Sequence, residues 1–277
     1  MFLISRPMFW IIFPLGYCIG LFLGGIKPNL FHIIQMFTLS FPACFVMFGI
    51  NDIYDINSDK LNSRKKDKFY GIVIEESEIK EIKNISLFFS FVIFLASLFS
   101  FNLINILLTI LALIAVYIYS APPLRIKGRP ILDSIFNMLF LYLPFAMGYS
   151  LMGTLNFLNP QLIMFSLTGS AAHAIFAVGD MDSDKKAGIK TFATEYGHVI
   201  PLIFAIVLLA INIPFALNIE ISAGLLLSTL CFICVLLIFF PKLPIYNWII
   251  FLIILWMMYV ITYFSIVFLL KFIFINF

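Results

Sequence analysis

The sequence predicts an all-α integral membrane protein, a bundle of nine transmembrane helices. Three observations carry this expectation. Of 277 residues, 63% are hydrophobic and 34 are Phe, with a mean hydropathy of +1.10, whereas soluble domains are roughly 45–50% apolar. The apolar residues fall in repeated runs close to the roughly 20 residues that a helix needs to cross a bilayer. Only 11% of the residues are charged, and they collect between the runs.

The spans read in order as 8–26, 30–50, 84–102, 104–120, 132–152, 161–179, 199–218, 222–240 and 247–270. After Arg6 the first runs unbroken to Ile26, too long for the core of a cleaved leader. Lys27-Pro28-Asn29 separates it from the second. The longest polar stretch, Asn51 to Lys83, parts the second from the third, and a very short link near Asn102 divides the third from the fourth. Ser120-Ala121-Pro122-Pro123 ends the fourth, Asn159-Pro160 precedes the sixth, and residues 241–247 turn the chain before the ninth. No repeat or low-complexity segment is evident, so a single domain is expected over 1–277.

Charge orients the bundle. With the N-terminus inside, 15 of the 17 Lys and Arg lie on the inner side, and only Lys27 and Lys271 fall outside, as the positive-inside rule favours. The N-terminus and the acidic loops are therefore expected on the cytoplasmic face. All acids except Glu220 share that side. A scattered net charge of +3 does not suggest nucleic acid. Cys18, Cys44, Cys231 and Cys234 all lie in apolar segments. Cys231-x-x-Cys234 has no His or second Cys pair nearby, so it reads as two small apolar residues of a membrane helix.

Six of the 14 acids sit in two short stretches, Asn51-Asp52-Ile53-Tyr54-Asp55-Ile56-Asn57-Ser58-Asp59 and Asp180-Met181-Asp182-Ser183-Asp184. Carboxylates this close repel one another and resist leaving water. A hard divalent cation relieves both penalties, and Mg2+ keeps positions open for water or phosphate oxygens. The clusters therefore predict an enzyme that handles a diphosphate through Mg2+. On a helix, Asp52, Asp55 and Asp59 share one face, with Asn51 beside them as an amide donor. Asp180 and Asp184 share a face as well, while Asp182 points elsewhere. Two Mg2+ held between the clusters would bridge one diphosphate and stabilise it as a leaving group. Lys185, Lys186 and Lys190 follow, either as phosphate contacts or as inner-face anchors.

A third motif reads Tyr119-Ser120-Ala121-Pro122-Pro123-Leu124-Arg125-Ile126-Lys127-Gly128-Arg129-Pro130. Its proline pair stiffens the loop, and three cations on alternating positions can neutralise a diphosphate. Asp133, just after, is read as a partner for one of them. His173 lies on roughly the same helical face as Asp180. It is read as an acceptor contact, a proton acceptor, or a buried histidine satisfied by a neighbouring helix. Asn137 is a polar residue within the fifth span, read as facing the cavity, while Met138, Met147 and Met152 read as packing.

These motifs are similar to those of the UbiA superfamily of intramembrane prenyltransferases. The resemblance rests on N-D-x-x-D-x-x-x-D at 51–59, Y-S-x-P-P-x-R-x-K at 119–127, and D-x-x-x-D at 180–184 with G-x-x-T at 188–191. It implies a nine-helix bundle around a central cavity that holds a prenyl diphosphate donor and a lipophilic acceptor. By that resemblance Asn51, Asp52, Asp55, Asp59, Asp180 and Asp184 bind Mg2+-diphosphate, helped by Arg125 and Lys127. Tyr119 would lie near the reacting carbon, where a phenol face steadies allylic cation charge. In wording, the third motif and the His173–Thr191 stretch look most similar to the lycopene elongase-like branch, which adds a C5 unit to a carotenoid end; an aromatic quinone precursor is the other acceptor class.

Two other readings compete. A cation transporter places carboxylates near span centres, and this sequence has none there. A membrane alcohol phosphotransferase also uses clustered Asp and Mg2+, but the Pro-Pro-x-Arg-x-Lys motif and the distant second cluster argue against it.

Overall fold

The computed structural model describes residues 2–60, 71–154, 156, 159–219, 221–243, 249, 252–253 and 255. The expected ninth span falls almost entirely outside them, as do Arg64, Lys65, Lys66 and Lys68. Among the described residues the chain is all helical, with no strand. Two short 3-10 helices, Phe2–Ser5 and Pro7–Phe9, lead into α1 (Ile12–Leu23), followed by α2 (Leu30–Leu39), α3 (Phe41–Asp59), α4 (Ile79–Leu98) and α5 (Leu103–Ser120). Then come α6 (Leu132–Ile135), α7 (Met138–Ser150), α8 (Pro160–Lys186), α9 (Phe192–Tyr196), α10 (Val199–Ile219) and α11 (Ile221–Phe239).

Six helical stretches of the described chain are long and apolar enough to cross a membrane, or seven if the pair Phe2–Phe9 and Ile12–Leu23, bent by 47°, is one span. The expected count of nine is not reached among the described residues, because the ninth span falls almost entirely outside them and the fifth is broken. The fifth expected span, 132–152, is broken into α6 and the 13-residue α7. The break is held where Asn137 Nδ2 donates to the Asp133 carbonyl at 2.6 Å. The second span is likewise kinked at Ser40, where Pro42 in the first turn of α3 has no N–H to continue the preceding ladder. Beyond that kink α3 runs on to Asp59, past the expected end at 50, so the first acidic motif rides on its last turns.

Local chemistry sets the other ends. Asn29 caps α2 through the His32 N–H at 3.2 Å, and His32 Nδ1 accepts from Asn29 N at 2.9 Å. Asn102 caps α5 through Asn105 N at 3.0 Å, just after Phe101 turns the chain with φ 48°. The short link expected near Asn102 is thus a real break.

Aliphatic and aromatic side chains such as Leu87, Phe88 and Phe91 on α4, Leu107 and Leu111 on α5, and Ile203 and Val207 on α10 lie exposed. Contiguous apolar surface of this kind belongs in lipid. Inside, one core joins α8, α9, α10 and α11 around Ala174, Leu202, Leu209 and Leu237. Another joins α1, α2, α3, α5 and α7 around Tyr17, Leu143, Phe145 and Met147.

The closest helix crossing in this second core joins α1 and α7. A Cβ on Gly20 would stand 2.1 Å from the Phe145 carbonyl oxygen, and one on Gly148 would stand 2.1 Å from that of Tyr17. Each glycine lets the other helix's backbone approach, the small-residue packing typical of membrane helices. Nearby, Asn105 is fully buried and exchanges amide bonds with Gln35 while donating to the Met147 carbonyl at 2.9 Å. These bonds tie α2, α5 and α7 together.

Candidate active site

The polar end of α3 meets the loop between α5 and α6. Lys127 Nζ donates to Asn51 Oδ1 at 2.9 Å and to Asp55 Oδ2. Arg125 Nη2 donates to Asp55 Oδ1 at 3.3 Å and to the Tyr54 carbonyl at 3.1 Å. The first and third motifs, about 70 residues apart in sequence, therefore close on one another. Burial pushes the Lys127 ammonium below the ordinary lysine range, and Asp55 pulls it back up.

Asp52 is fully buried and meets Arg6, whose Nη2 donates to Oδ1 at 2.8 Å while the guanidinium lies 4.2 Å above the Phe48 ring. Sequence reading took Arg6 only as an inner-face cation. Its one signal was its isolation just before the first span. Arg6 and Arg125 are also two of four non-glycine residues with left-handed backbone among the described residues, at φ 48° and φ 39°. Such strain persists where surrounding contacts fix the residue, commonly at functional sites.

Beneath this rim stands Tyr119, at the end of α5. Its hydroxyl meets His173 Nε2 at 2.9 Å and accepts from Asn137 Nδ2 at 3.0 Å. His173 Nδ1 meets Ser134 Oγ at 3.0 Å. The expected cavity-side position of Asn137 thus brings it to Tyr119, and His173 is satisfied by two neighbouring helices. Ser134 was not singled out in the sequence, where nothing distinguishes it from other membrane-edge serines. The Tyr119 ring stacks on Phe136 at 5.8 Å and meets Phe140 edge-on at 5.3 Å. Phe140 in turn lines an apolar cleft, walled also by Phe13, Val46, Leu113, Leu143 and Met147.

The expected pairing of Asp133 with a loop cation is not what the structure shows. Its fully buried carboxylate instead accepts from Ser134 N at 2.7 Å and Phe192 N at 2.8 Å. The carboxylate thereby pins the start of α9 to α6, a tie between segments that no sequence spacing announces.

The second acidic motif closes α8. Asp180 and Asp184 are partly buried, while Asp182, Lys185, Lys186 and Lys190 are exposed. Asp182, expected to point away from the face shared by Asp180 and Asp184 as a solvated or supporting residue, is exposed. α3 touches α8, which brings together the two helices that carry the acidic motifs. Thr191, from the tail of that motif, caps α9 through Thr194 N at 3.3 Å.

The donor set fits Mg2+. Asn51, Asp52, Asp55, Asp59, Asp180 and Asp184 offer only oxygen ligands, which this hard ion takes. Among the described residues no three His, Cys, Asp or Glu side chains stand together closely enough to hold a metal ion by themselves.

A charged rim and an aromatic-walled apolar cleft lie together in a multi-pass helical bundle, an arrangement that fits an integral membrane enzyme. The chain belongs to the UbiA prenyltransferase family, whose profile matches residues 13–275, and is a prenyltransferase. It is 33% identical over 201 residues to the lycopene elongase/hydratase of Corynebacterium glutamicum, covering 70% of this chain and 68% of that one. To the protein of that name from Halobacterium salinarum it is 28% identical over 209 residues, covering 71% of each. The structure of a UbiA homolog from Archaeoglobus fulgidus bound to DMAPP and Mg2+ superposes with a TM-score of 0.68 at 25% identity, covering 94% of this chain and 98% of that one. The apo structure of a UbiA homolog from Aeropyrum pernix K1 shares the fold, with a TM-score of 0.66 at 16% identity over 91% of this chain and 97% of that one.

Lys127→Ala is expected to weaken prenyl diphosphate binding about 30-fold or more, since removing one partner of a buried charge pair costs roughly 2–5 kcal/mol. Acceptor binding should change little. Calorimetric titration with a thiodiphosphate analogue checks this, and equal losses for donor and acceptor would mean that the loop has misfolded instead.

Proposed function

We propose that this protein is a Mg2+-dependent prenyltransferase acting as one catalytic unit over 1–277, moving a short prenyl group from an allylic diphosphate onto a carotenoid end. The observation that carries this is the stacking of chemistries. The Asp55–Lys127–Asn51 rim stands above Tyr119, whose ring leads through Phe140 into the apolar cleft. The elongase/hydratase relatives support the carotenoid acceptor, and the DMAPP bound by the Archaeoglobus homolog supports a C5 donor.

Asn51, Asp52, Asp55, Asp59, Asp180 and Asp184 would hold Mg2+, which would supply positive charge to stabilise the departing diphosphate. Lys127 and Arg125 turn from Asp55 towards phosphate oxygens, and the exposed Lys185 joins them. The Tyr119 ring faces the allylic carbon as positive charge develops there, and the apolar walls keep water away. The acidic loops and the N-terminus lie on the cytoplasmic face, where soluble diphosphates are supplied.

The test uses purified protein in lipid with Mg2+, labelled prenyl diphosphates and a panel of polyene and aromatic acceptors, read by mass spectrometry. A labelled C–C product with a polyene is the expected result. A prenylated aromatic acid would move the acceptor within the family. Folded protein that releases no diphosphate with any acceptor would overturn the proposal.

A further inference from the structure

We infer that the Tyr119–His173–Ser134 chain takes up the proton that carbon–carbon bond formation releases, with His173 Nε2 as its resting place. This rests on the proposed transfer to a polyene end. Hydrogen-bond direction is the first support. Asn137 Nδ2 can only donate, so the Tyr119 oxygen accepts from it at 3.0 Å and turns its own proton to His173 Nε2, 2.9 Å away. Nε2 is therefore the acceptor, and the ring carries its proton on Nδ1, which donates to Ser134 Oγ at 3.0 Å. Ser134 follows Asp133, whose buried carboxylate receives one backbone N–H bond on each oxygen. A single directional path thus runs from the phenol through the imidazole to the Ser134 hydroxyl.

Position is the second support. Tyr119, Asn137 and His173 sit among the elements that wall the site, yet each keeps accessible surface. The Tyr119 ring shares Phe140 with the apolar cleft. A lipophilic acceptor in that cleft brings its reacting end to the phenol, not to the charged rim.

The step balances as follows. Attack by an alkene π bond on the allylic carbon forms the new C–C bond, breaks the C–O bond to diphosphate, and leaves a tertiary cation on the acceptor. A neighbouring C–H bond then breaks, and its electron pair becomes a new C=C bond. The proton goes to the Tyr119 oxygen as the phenol's own proton passes to His173 Nε2. Positive charge moves from carbon to the imidazolium, whose Nδ1–H donates to Ser134 Oγ. Water takes the proton from His173 once product has left. If the proton is not removed promptly, a water that reaches the same cation adds to it, passes its extra proton to a second water, and gives a tertiary alcohol.

That competition supplies a readout independent of how much enzyme folds, the ratio of alcohol to alkene product within one sample. His173→Gln keeps a hydrogen-bond acceptor for Tyr119 but cannot hold a proton. It is expected to raise the alcohol share at least tenfold, with label from H2(18)O in the alcohol. Ser134→Ala, which frees the tautomer without removing the base, should shift the ratio the same way by a smaller factor. An active His173→Gln enzyme with an unchanged ratio overturns the inference and leaves the departing diphosphate as the base. Loss of both products with donor binding retained also overturns it, because His173 would then act before the bond forms. If unaltered enzyme moves no prenyl group to any polyene, the acceptor reading fails and this inference fails with it.

Discussion

Asp180→Ala and Asp52→Asn are each expected to lower prenyl transfer by about 10³-fold or more, because each removes a carboxylate charge from the proposed site that would neutralise a leaving diphosphate. The two substitutions are chosen differently because their surroundings differ. Asp180 is partly exposed at the end of α8, so truncation removes charge at little packing cost. Asp52 is fully buried against Arg6, and alanine there would leave a guanidinium buried without its counter-ion, a loss of several kcal/mol. Asparagine keeps the shape and an oxygen for Arg6 while removing the charge. Asp182→Ala, at an exposed site between two ligands, is expected to retain activity within about twofold. Diphosphate release and labelled product, followed across a Mg2+ titration in protein that elutes as a folded species, check all three. Near-normal Mg2+-dependent turnover in Asp180→Ala or Asp52→Asn would remove the two-motif site.

Much of the bundle was legible because lipid imposes a coarse code, roughly 20 apolar residues for a span and a turn signal between spans. The break at Asn102 and the α8 start at Asn159-Pro160 follow from that code. The code fails where a polar side chain satisfies a freed backbone group within the bundle. Residues 132–152 read as one apolar run, yet Asn137 bonds the Asp133 carbonyl and ends α6 there. The site divided in the same way. Asp55 and Lys127 were legible because repelling acids and spaced cations require an explanation in an apolar chain. Arg6, Ser134 and the Asp133–Phe192 tie were not, since each acts through a long-range contact that leaves no local pattern. Gly16-x-x-x-Gly20-x-x-x-Gly24 was also passed over, although small residues at this spacing mark close helix crossings.

That last pattern leads to the largest expected effect on stability. Gly148→Leu is expected to prevent accumulation of folded protein, and Gly148→Ala to cost roughly 1–3 kcal/mol, the usual range for overpacking. The reason is geometric. The new Cβ would lie 2.1 Å from the Tyr17 carbonyl oxygen and 2.9 Å from Leu21 N, and backbone atoms cannot turn aside as a flexible side chain can. Gly20→Ala meets the Phe145 carbonyl oxygen in the same way. Once α1 and α7 have been forced apart, both clashes are relieved together, so the double variant should lose less than the sum of the two. Gly128→Ala, which meets nothing within 4 Å, is the control and should fall within about 0.5 kcal/mol of the unaltered protein. The separation also reaches the site. Phe13 of α1 and Phe140 of α7 wall the same cleft, and Phe140 carries the edge of the Tyr119 ring. Gly148→Ala should therefore admit a bulkier acceptor end while weakening turnover. Thermal unfolding in detergent, paired with product profiles across acceptors of increasing width, tests both consequences. Equal stability of Gly148→Ala and Gly128→Ala would mean that α1 and α7 do not cross at backbone contact.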